Sequence, residues 1–253
     1  MIWITGDTHR EEDINKLSNK SFKEGRAMTR NDYVIVAGDF GFILDGSKVE
    51  KWWANWLSER PYNVLFVDGN HENFDMLNAY PIEMWNGGKV HKVADNVFHL
   101  MRGQIFNIDG KKIFTFGGAT SIDKVTRTNF VSWWEQELPT TQELNDGIDN
   151  LEASNWEVDY IITHCCSSRT LNTVIDFKDK VQAEKDEKSK GLGYNFKEEP
   201  KYRYEADILN KYFDFIEENL KYKHWFFGHY HIDYKDVALN QTALFQDVIK
   251  ISD

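Results

Sequence analysis

Five short apolar runs in this chain each end abruptly in glycine, aspartate, asparagine or histidine, and that repeated ending constrains the fold more than any other feature. Ile2-Trp3-Ile4-Thr5 runs into Gly6-Asp7-Thr8-His9, and Tyr33-Val34-Ile35-Val36-Ala37 into Gly38-Asp39. Asn63-Val64-Leu65-Phe66-Val67 runs into Asp68-Gly69-Asn70-His71-Glu72, Tyr160-Ile161-Ile162-Thr163 into His164, and Trp225-Phe226-Phe227 into Gly228-His229-Tyr230-His231. Short continuous apolar runs of this kind read as buried strands of a parallel sheet. Their polar endings then emerge at the carboxyl ends of the strands, where open α/β sheets place their ligands. Asp7, His9, Asp39, Asn70, His164, His229 and His231 are thereby delivered to one edge.

The rest of the chain supplies the connections. Residues 10–30, with Ile14 and Leu17 at helical spacing, predict a short crossover helix. Ser47 followed by Glu50 forms a capping-box pattern for a helix whose Trp52, Trp53, Trp56 and Leu57 fall on one stripe and are expected to pack it on the sheet. A short helix over 73–79 closes at Pro81. From 89 to 116 the runs shorten and are separated by Asp95-Asn96, Arg102-Gly103 and Asp109-Gly110, which are hairpin signals. Helices over 140–154 and 205–220 and final strands over 242–245 and 248–249 complete the order. The fold class is α/β, with two sheets packed face to face and helices outside. Residues 167–204, rich in Lys, Glu, Asp and Asn and poor in large apolar residues after Phe177, read as the least regular stretch: a solvated excursion, or a lid over the strand-end residues.

Composition sets limits on partners. A chain of 253 residues with 41% hydrophobic and 15% aromatic content can bury one large core, so a single domain over 1–253 suffices. The net charge of -11 argues against a broad phosphate-binding face, which makes nucleic acid a weaker candidate than a small substrate. Cys165 and Cys166 are adjacent and are poor partners for an ordinary disulfide. With no basic leader, leader-type apolar segment or long apolar run, neither signal peptide nor membrane span is expected, and the expected location is cytoplasmic.

Five of the eight histidines, His9, His71, His164, His229 and His231, lie at these strand ends, and the seven-residue set delivered to the edge holds imidazole, carboxylate and amide donors and no thiolate. Such a set suits Mn, Fe, Ni, Co or Zn. Seven groups exceed what one tetrahedral ion takes and match two divalent transition-metal ions roughly 3.5–4 Å apart. Four positive charges against the two of Asp7 and Asp39 leave a cationic centre that favours a phosphate and acidifies bound water to hydroxide.

At these residues the sequence resembles the calcineurin-like metallophosphoesterase superfamily, whose pattern is met in order by Asp7-Thr8-His9, Gly38-Asp39, Gly69-Asn70-His71-Glu72, His164 and Gly228-His229-Tyr230-His231. The resemblance implies an α/β/β/α four-layer sandwich of two mixed sheets. It also implies that Asp7, His9 and His231 hold one metal, that Asn70, His164 and His229 hold the other, and that Asp39 bridges. His71 would be the catalytic imidazole. Arg10 stands where the family often has glycine, either as a phosphate contact or as an ordinary surface charge. Phe40-Gly41-Phe42-Ile43 replaces the stretch that in the protein phosphatase branch carries the aspartate orienting the catalytic histidine and a phosphate-clamping arginine; Asp45, Glu72 or Asp75 is left to substitute for that aspartate. Cys165 reads as a small buried residue in preference to an extra ligand. Gly117-Gly118-Ala119-Thr120-Ser121-Ile122-Asp123, with Lys124 and Arg127 behind it, reads either as a phosphate-contact loop or as a turn with solvated charges.

The expected function is hydrolysis of a small phosphate ester by a metal-bound hydroxide on a binuclear centre, with manganese the first choice of metal. A nuclease or cyclic-nucleotide diesterase is the second reading. A catalytically silent scaffold is disfavoured because no ligand position is lost.

Overall fold

The computed structural model describes residues 1–191 and 204–251. Two sheets face each other. The first has seven strands in the order β13-β1-β2-β3-β6-β5-β4, comprising β1 (Ile2–Thr5), β2 (Tyr33–Val36), β3 (Asn63–Phe66), β4 (Ile82–Trp85), β5 (Gly88–Ala94), β6 (Val97–Leu100) and β13 (Val248–Lys250). The second has six in the order β11-β12-β10-β9-β8-β7, comprising β7 (Gln104–Ile108), β8 (Lys111–Phe116), β9 (Tyr160–Thr163), β10 (His224–Phe227), β11 (Tyr234–Asp236) and β12 (Gln241–Ala243). Strands β1, β2, β3 and β6 run parallel, as do β8, β9, β10 and β12, while the outer pairings are antiparallel. Both sheets are mixed.

Alternation along each strand explains the continuous apolar runs. Ile35, Leu65, Ile113, Ile162 and Phe226 fill the space between the sheets. Val34, Val36, Val64 and Phe66 point the other way, onto Ile14, Leu17 and Leu57. Phe114, Phe116, Ile161, Trp225 and Phe227 point outward from the second sheet onto Leu151, Leu171, Val174, Phe213 and Ile216. These outer layers carry α1 (Lys48–Ser58) and α2 (Phe74–Leu77) on one side and α3 (Thr141–Ala153), α4 (Ser168–Gly191) and α5 (Ile208–Asn219) on the other. Helix, sheet, sheet, helix is the four-layer sandwich. Among the described residues no helix is long and apolar enough to cross a membrane.

Local chemistry departs from expectation at several places. Residues 10–30 form two 3-10 turns, Ile14–Leu17 and Glu24–Ala27, in place of one helix. Only half of the Ser47 capping box forms: Ser47 Oγ accepts from the Glu50 amide, but the Glu50 carboxylate turns to the amides of Leu44, Asp45 and Gly46. The tryptophan stripe is core only in part, with Trp53 and Trp56 packed against the buried cluster under the helix and Trp52 outside it. Trp52 is 58% exposed and Trp53 and Trp56 are half-buried, stacking edge to face along the helix surface, so that Leu57 alone of the four is buried. Arg102-Gly103 is not a hairpin turn, because β6 and β7 belong to different sheets. Asn86-Gly87, with φ of 48° and 98°, instead makes the turn between β4 and β5.

The stretch 167–191 also differs, forming one long helix. Its apolar residues Leu171, Val174, Ile175 and Val181 recur at helical spacing and pack on the second sheet's outer layer, a stripe hidden in the sequence by the charges between them. The remainder of the expected excursion, 192–203, lies outside the described residues.

The crossing from β6 to β7 is pinned by a buried charge cluster. Arg102 Nε and Nη2 donate to Asp68 Oδ2 at 2.9 and 2.6 Å, and His99 Nε2 lies 3.1 Å from Asp68 Oδ1. Burial alone would raise the Asp68 carboxyl, but the Arg102 charge and the His99 contact hold it well below the usual carboxylate range. Arg102→Leu would leave that carboxylate uncompensated two residues before Asn70. We expect a loss of about 3–5 kcal/mol, read as a lower urea midpoint at unchanged m; an unchanged midpoint would show the cluster to be energetically idle.

Candidate metal centre

The loops that follow β1, β2 and β3 of one sheet and β9 and β10 of the other meet at the carboxyl edge of the sandwich. Two groups of side chains form there. Ligand atoms of Asp7, His9, Asp39 and His231 lie within 4.8 Å of one another, and so do those of Asp39, His164 and His229. Asp39 belongs to both groups. Its Oδ2 is 3.3 Å from His9 Nε2 and its Oδ1 is 3.4 Å from His164 Nε2. Asn70 Oδ1 lies 3.2 Å from His164 Nε2, beside the second group. All seven strand-end residues singled out above are therefore brought together.

The crowding accounts for the glycines that precede them. Gly38 has φ of 97°, and a Cβ there would run into the His164 ring; a Cβ on Gly228 would meet the Asp7 carboxylate. His9, Asp39, His229 and His231 themselves sit at φ of 38°, 44°, 70° and 51°. Non-glycine residues in the left-handed region are held there only where surrounding contacts over-determine them.

Those contacts also aim the donors. The Ala37 carbonyl lies 2.8 Å from His164 Nδ1 and can only accept, so Nδ1 carries a proton and Nε2 is the nitrogen turned toward Asp39. His9 Nδ1 lies 2.7 Å from Asp13 Oδ2, which sets that ring the same way. Asn70 Nδ2 donates to Ser121 Oγ at 3.2 Å, and the Ser121 hydroxyl donates to Glu137 Oε2 at 2.5 Å, which turns Asn70 Oδ1 inward. Sequence reasoning did not find these roles of Asp13, Ser121 and Glu137. Asp13 offered a signal, its spacing of four from His9; Glu137 offered none.

Electrostatically the pocket sets buried carboxylates against imidazoles. Asp7 and Asp39 are 0% and 1% exposed, and their ion-pair partners among the described residues are histidines. Burial works against charge on His9 and His164, yet the hydrogen bonds and charge of Asp39 outweigh it and push both imidazoles up to about 9. Burial, then the His164 charge, drives His229 far down. Asp7 Oδ2 is buried without a hydrogen bond, with His231 Nε2 3.2 Å away and misaligned for one. A buried carboxylate oxygen left without a partner is costly. A divalent cation satisfies it, and the imidazole, carboxylate and amide donor set fits such an ion.

His71 lies at the rim. Its backbone N–H donates to Asp39 Oδ1 at 2.8 Å, while its ring stands edge-on to His9 and meets Arg127, with Nη2 2.7 Å from Nε2. None of the three carboxylates considered as its orienter fills that role. Asp45 pairs with Arg10, Glu72 accepts from the amides of Phe40 and Gly41, and Asp75 accepts from the Trp134 indole. Arg10 is not a free surface charge: it is engaged by Asp45, Glu50 and the Gly41 carbonyl. Cys165 is buried in the outer core, and burial raises its thiol. A cavity of about 180 Å³ opens beside His229, lined by Ala119, Ser121, Ile122, Leu171, Tyr204 and Tyr230 among others.

A family model for calcineurin-like phosphoesterases matches residues 1–233. The chain belongs to that family. As a calcineurin-like phosphoesterase it is a metal-dependent hydrolase, with its candidate ligands in the two groups described. Among solved structures it is similar to a phosphopantetheinyl hydrolase (PptH) from Mycobacterium tuberculosis, at 14% identity over 96% of this chain and 87% of that one, with a TM-score of 0.41. So slight a likeness carries no further argument. No curated protein matches the chain.

Proposed function

We propose that this calcineurin-like phosphoesterase hydrolyses phosphate esters at a pair of divalent transition-metal ions within one domain. Asp7, His9 and His231 would hold one ion, Asn70, His164 and His229 the other, and Asp39 would bridge. The observation that supports this reading best is the setting of Asp39, a buried carboxylate with one oxygen turned toward each group. Ions of the manganese, iron, nickel, cobalt or zinc class would supply Lewis acidity at the phosphoryl oxygens and an acidified water as nucleophile. The chain's own part is to hold His71 at the rim, where its imidazole protonates the leaving oxygen, and to seat the leaving group in the cavity beside His229. Elemental analysis of the purified protein, with a screen of phosphomonoesters, diesters and pyrophosphates against Mn, Fe, Ni, Co, Zn and Mg, tests the reading. One ion per chain at saturation would defeat the paired centre, and inactivity on every ester would defeat the reaction.

The residues that aim the ligands give a second test. Outer contacts of this kind typically change metal affinity about 10–100-fold. Asp13→Ala and Ser121→Ala are expected to weaken metal binding by that order in a competition titration with a chelating dye, with the fold intact by circular dichroism. Undiminished affinity in both would mean that these contacts do not serve a metal.

In the same reading α4 acts as a lid on the leaving group. Lys178 Nζ donates to Tyr204 Oη at 3.1 Å, and Leu171 and Tyr204 both line the cavity. Tyr204→Ala should shift relative kcat/KM toward bulkier esters at unchanged metal content. Equal changes across ester sizes would leave α4 a packing element.

A further inference from the structure

The loop that follows β8 contains a guanidinium that the reading above does not use. Of its two cations, Lys124 is turned away, with Nζ 4.0 Å over the Trp133 ring. Arg127 faces the centre. Its side chain is 10% exposed, Nε donates to Asp123 Oδ1 at 2.7 Å, Nη1 donates to the Ser132 carbonyl at 3.3 Å, and Nη2 lies 2.7 Å from His71 Nε2. A guanidinium can only donate, so Nε2 of His71 is the acceptor in that contact and carries no proton there.

This arginine differs from the other two near the site. Arg102 is locked on Asp68 and the carbonyls of Gln136 and Glu137, and Arg10 on Asp45 and Glu50. Arg127 has one carboxylate behind it and a neutral ring in front. Among the described residues, two of its five N–H groups, one on each terminal nitrogen, have no hydrogen-bond partner, and a planar pair of that kind matches two oxygens of a phosphoryl group. The part-buried Asp123 contact aims the fork, as expected of a pre-positioned anion clamp and not of a solvated charge.

Resting on the proposed phosphoesterase activity, we propose that Arg127 is the phosphoryl clamp of this centre. In the substrate-free protein it rests on His71; a bound phosphoryl group takes the free N–H pair and draws the guanidinium off Nε2, and that nitrogen then takes a proton from solvent and passes it to the leaving oxygen.

The test is calorimetric titration of inorganic phosphate into metal-loaded protein, with metal content and ester hydrolysis measured on the same samples. Arg127→Ala should keep its metals and bind phosphate about 10- to 100-fold more weakly, the loss expected for charge-assisted hydrogen bonds. Arg127→Lys, which preserves the charge and serves as the test if the alanine variant fails to fold, should recover only part of the affinity because it lacks the fork. Lys124→Ala should bind phosphate as the unaltered protein does. Undiminished phosphate affinity in Arg127→Ala and Arg127→Lys, or an equal loss in Lys124→Ala, would overturn the clamp. If the unaltered protein hydrolyses esters in either of those cases, the phosphoesterase reading stands and only the clamp fails. If the unaltered protein neither binds metal nor hydrolyses any ester, the broader reading fails first.

Discussion

Asp39→Asn is expected to lose metal from both groups at once and to lower kcat by about 10²–10⁴, the several kcal/mol that Lewis-acid stabilisation supplies. The substitution is nearly isosteric. It leaves one acceptor oxygen where there were two, and that oxygen can face either His9 or His164 but not both. It also removes one of the two buried negative charges that favour cations in the pocket. Elemental analysis should therefore fall from about two ions per chain toward one or none, whereas Asp7→Asn should deplete chiefly the group containing His9 and His231. Full occupancy by both ions in Asp39→Asn would refute the bridge. A normal metal content with lost activity would point to Asp39 acting through the His71 amide it accepts.

His71→Ala is expected to lower kcat on an ester with a poor leaving group by about 10²–10⁴, the range for a positioned general acid. Metal content should stay near normal, because Asn70 leaves the same turn in another direction. On a nitrophenyl phosphate the loss should be much smaller, since that oxygen departs without a proton. Burial lowers the His71 imidazole, and Arg127 adds to the effect, so the free site holds the ring neutral. The ring contributes as an acid only once its Nε2 is vacated and has taken a proton from solvent, which ties this prediction to the clamp. Equal losses on good and poor leaving groups, with metals retained, would exclude the general-acid role; equal losses with lower thermal stability would make His71 a packing residue.

Much of the architecture was legible because parallel strands covered on both faces must be continuously apolar, and β1, β2, β3, β9 and β10 each announce themselves that way. Their carboxyl ends follow from chain direction alone, so the residues that meet at one edge could be named without coordinates. Elements whose stability comes from tertiary contact were harder to read. α4 carries a narrow apolar stripe among charges, and of the Trp52, Trp53 and Trp56 stripe, which looks buried in sequence, Trp52 lies at the surface while the other two are half-buried on the core.

The sequence by itself determined which donors reach the centre, since the ordering of Gly-Asp, Gly-Asn-His and Gly-His-Tyr-His against apolar runs depends only on local strand geometry. What the tertiary structure alone decided is how those donors are aimed and what stands around them. The Ala37 carbonyl that sets the His164 ring is 127 residues away in the chain, Ser121 is 51 residues from Asn70, and Arg127 is 56 from His71. A hydrogen bond takes its direction from where two backbones pass in space, and no periodicity in either segment records that meeting.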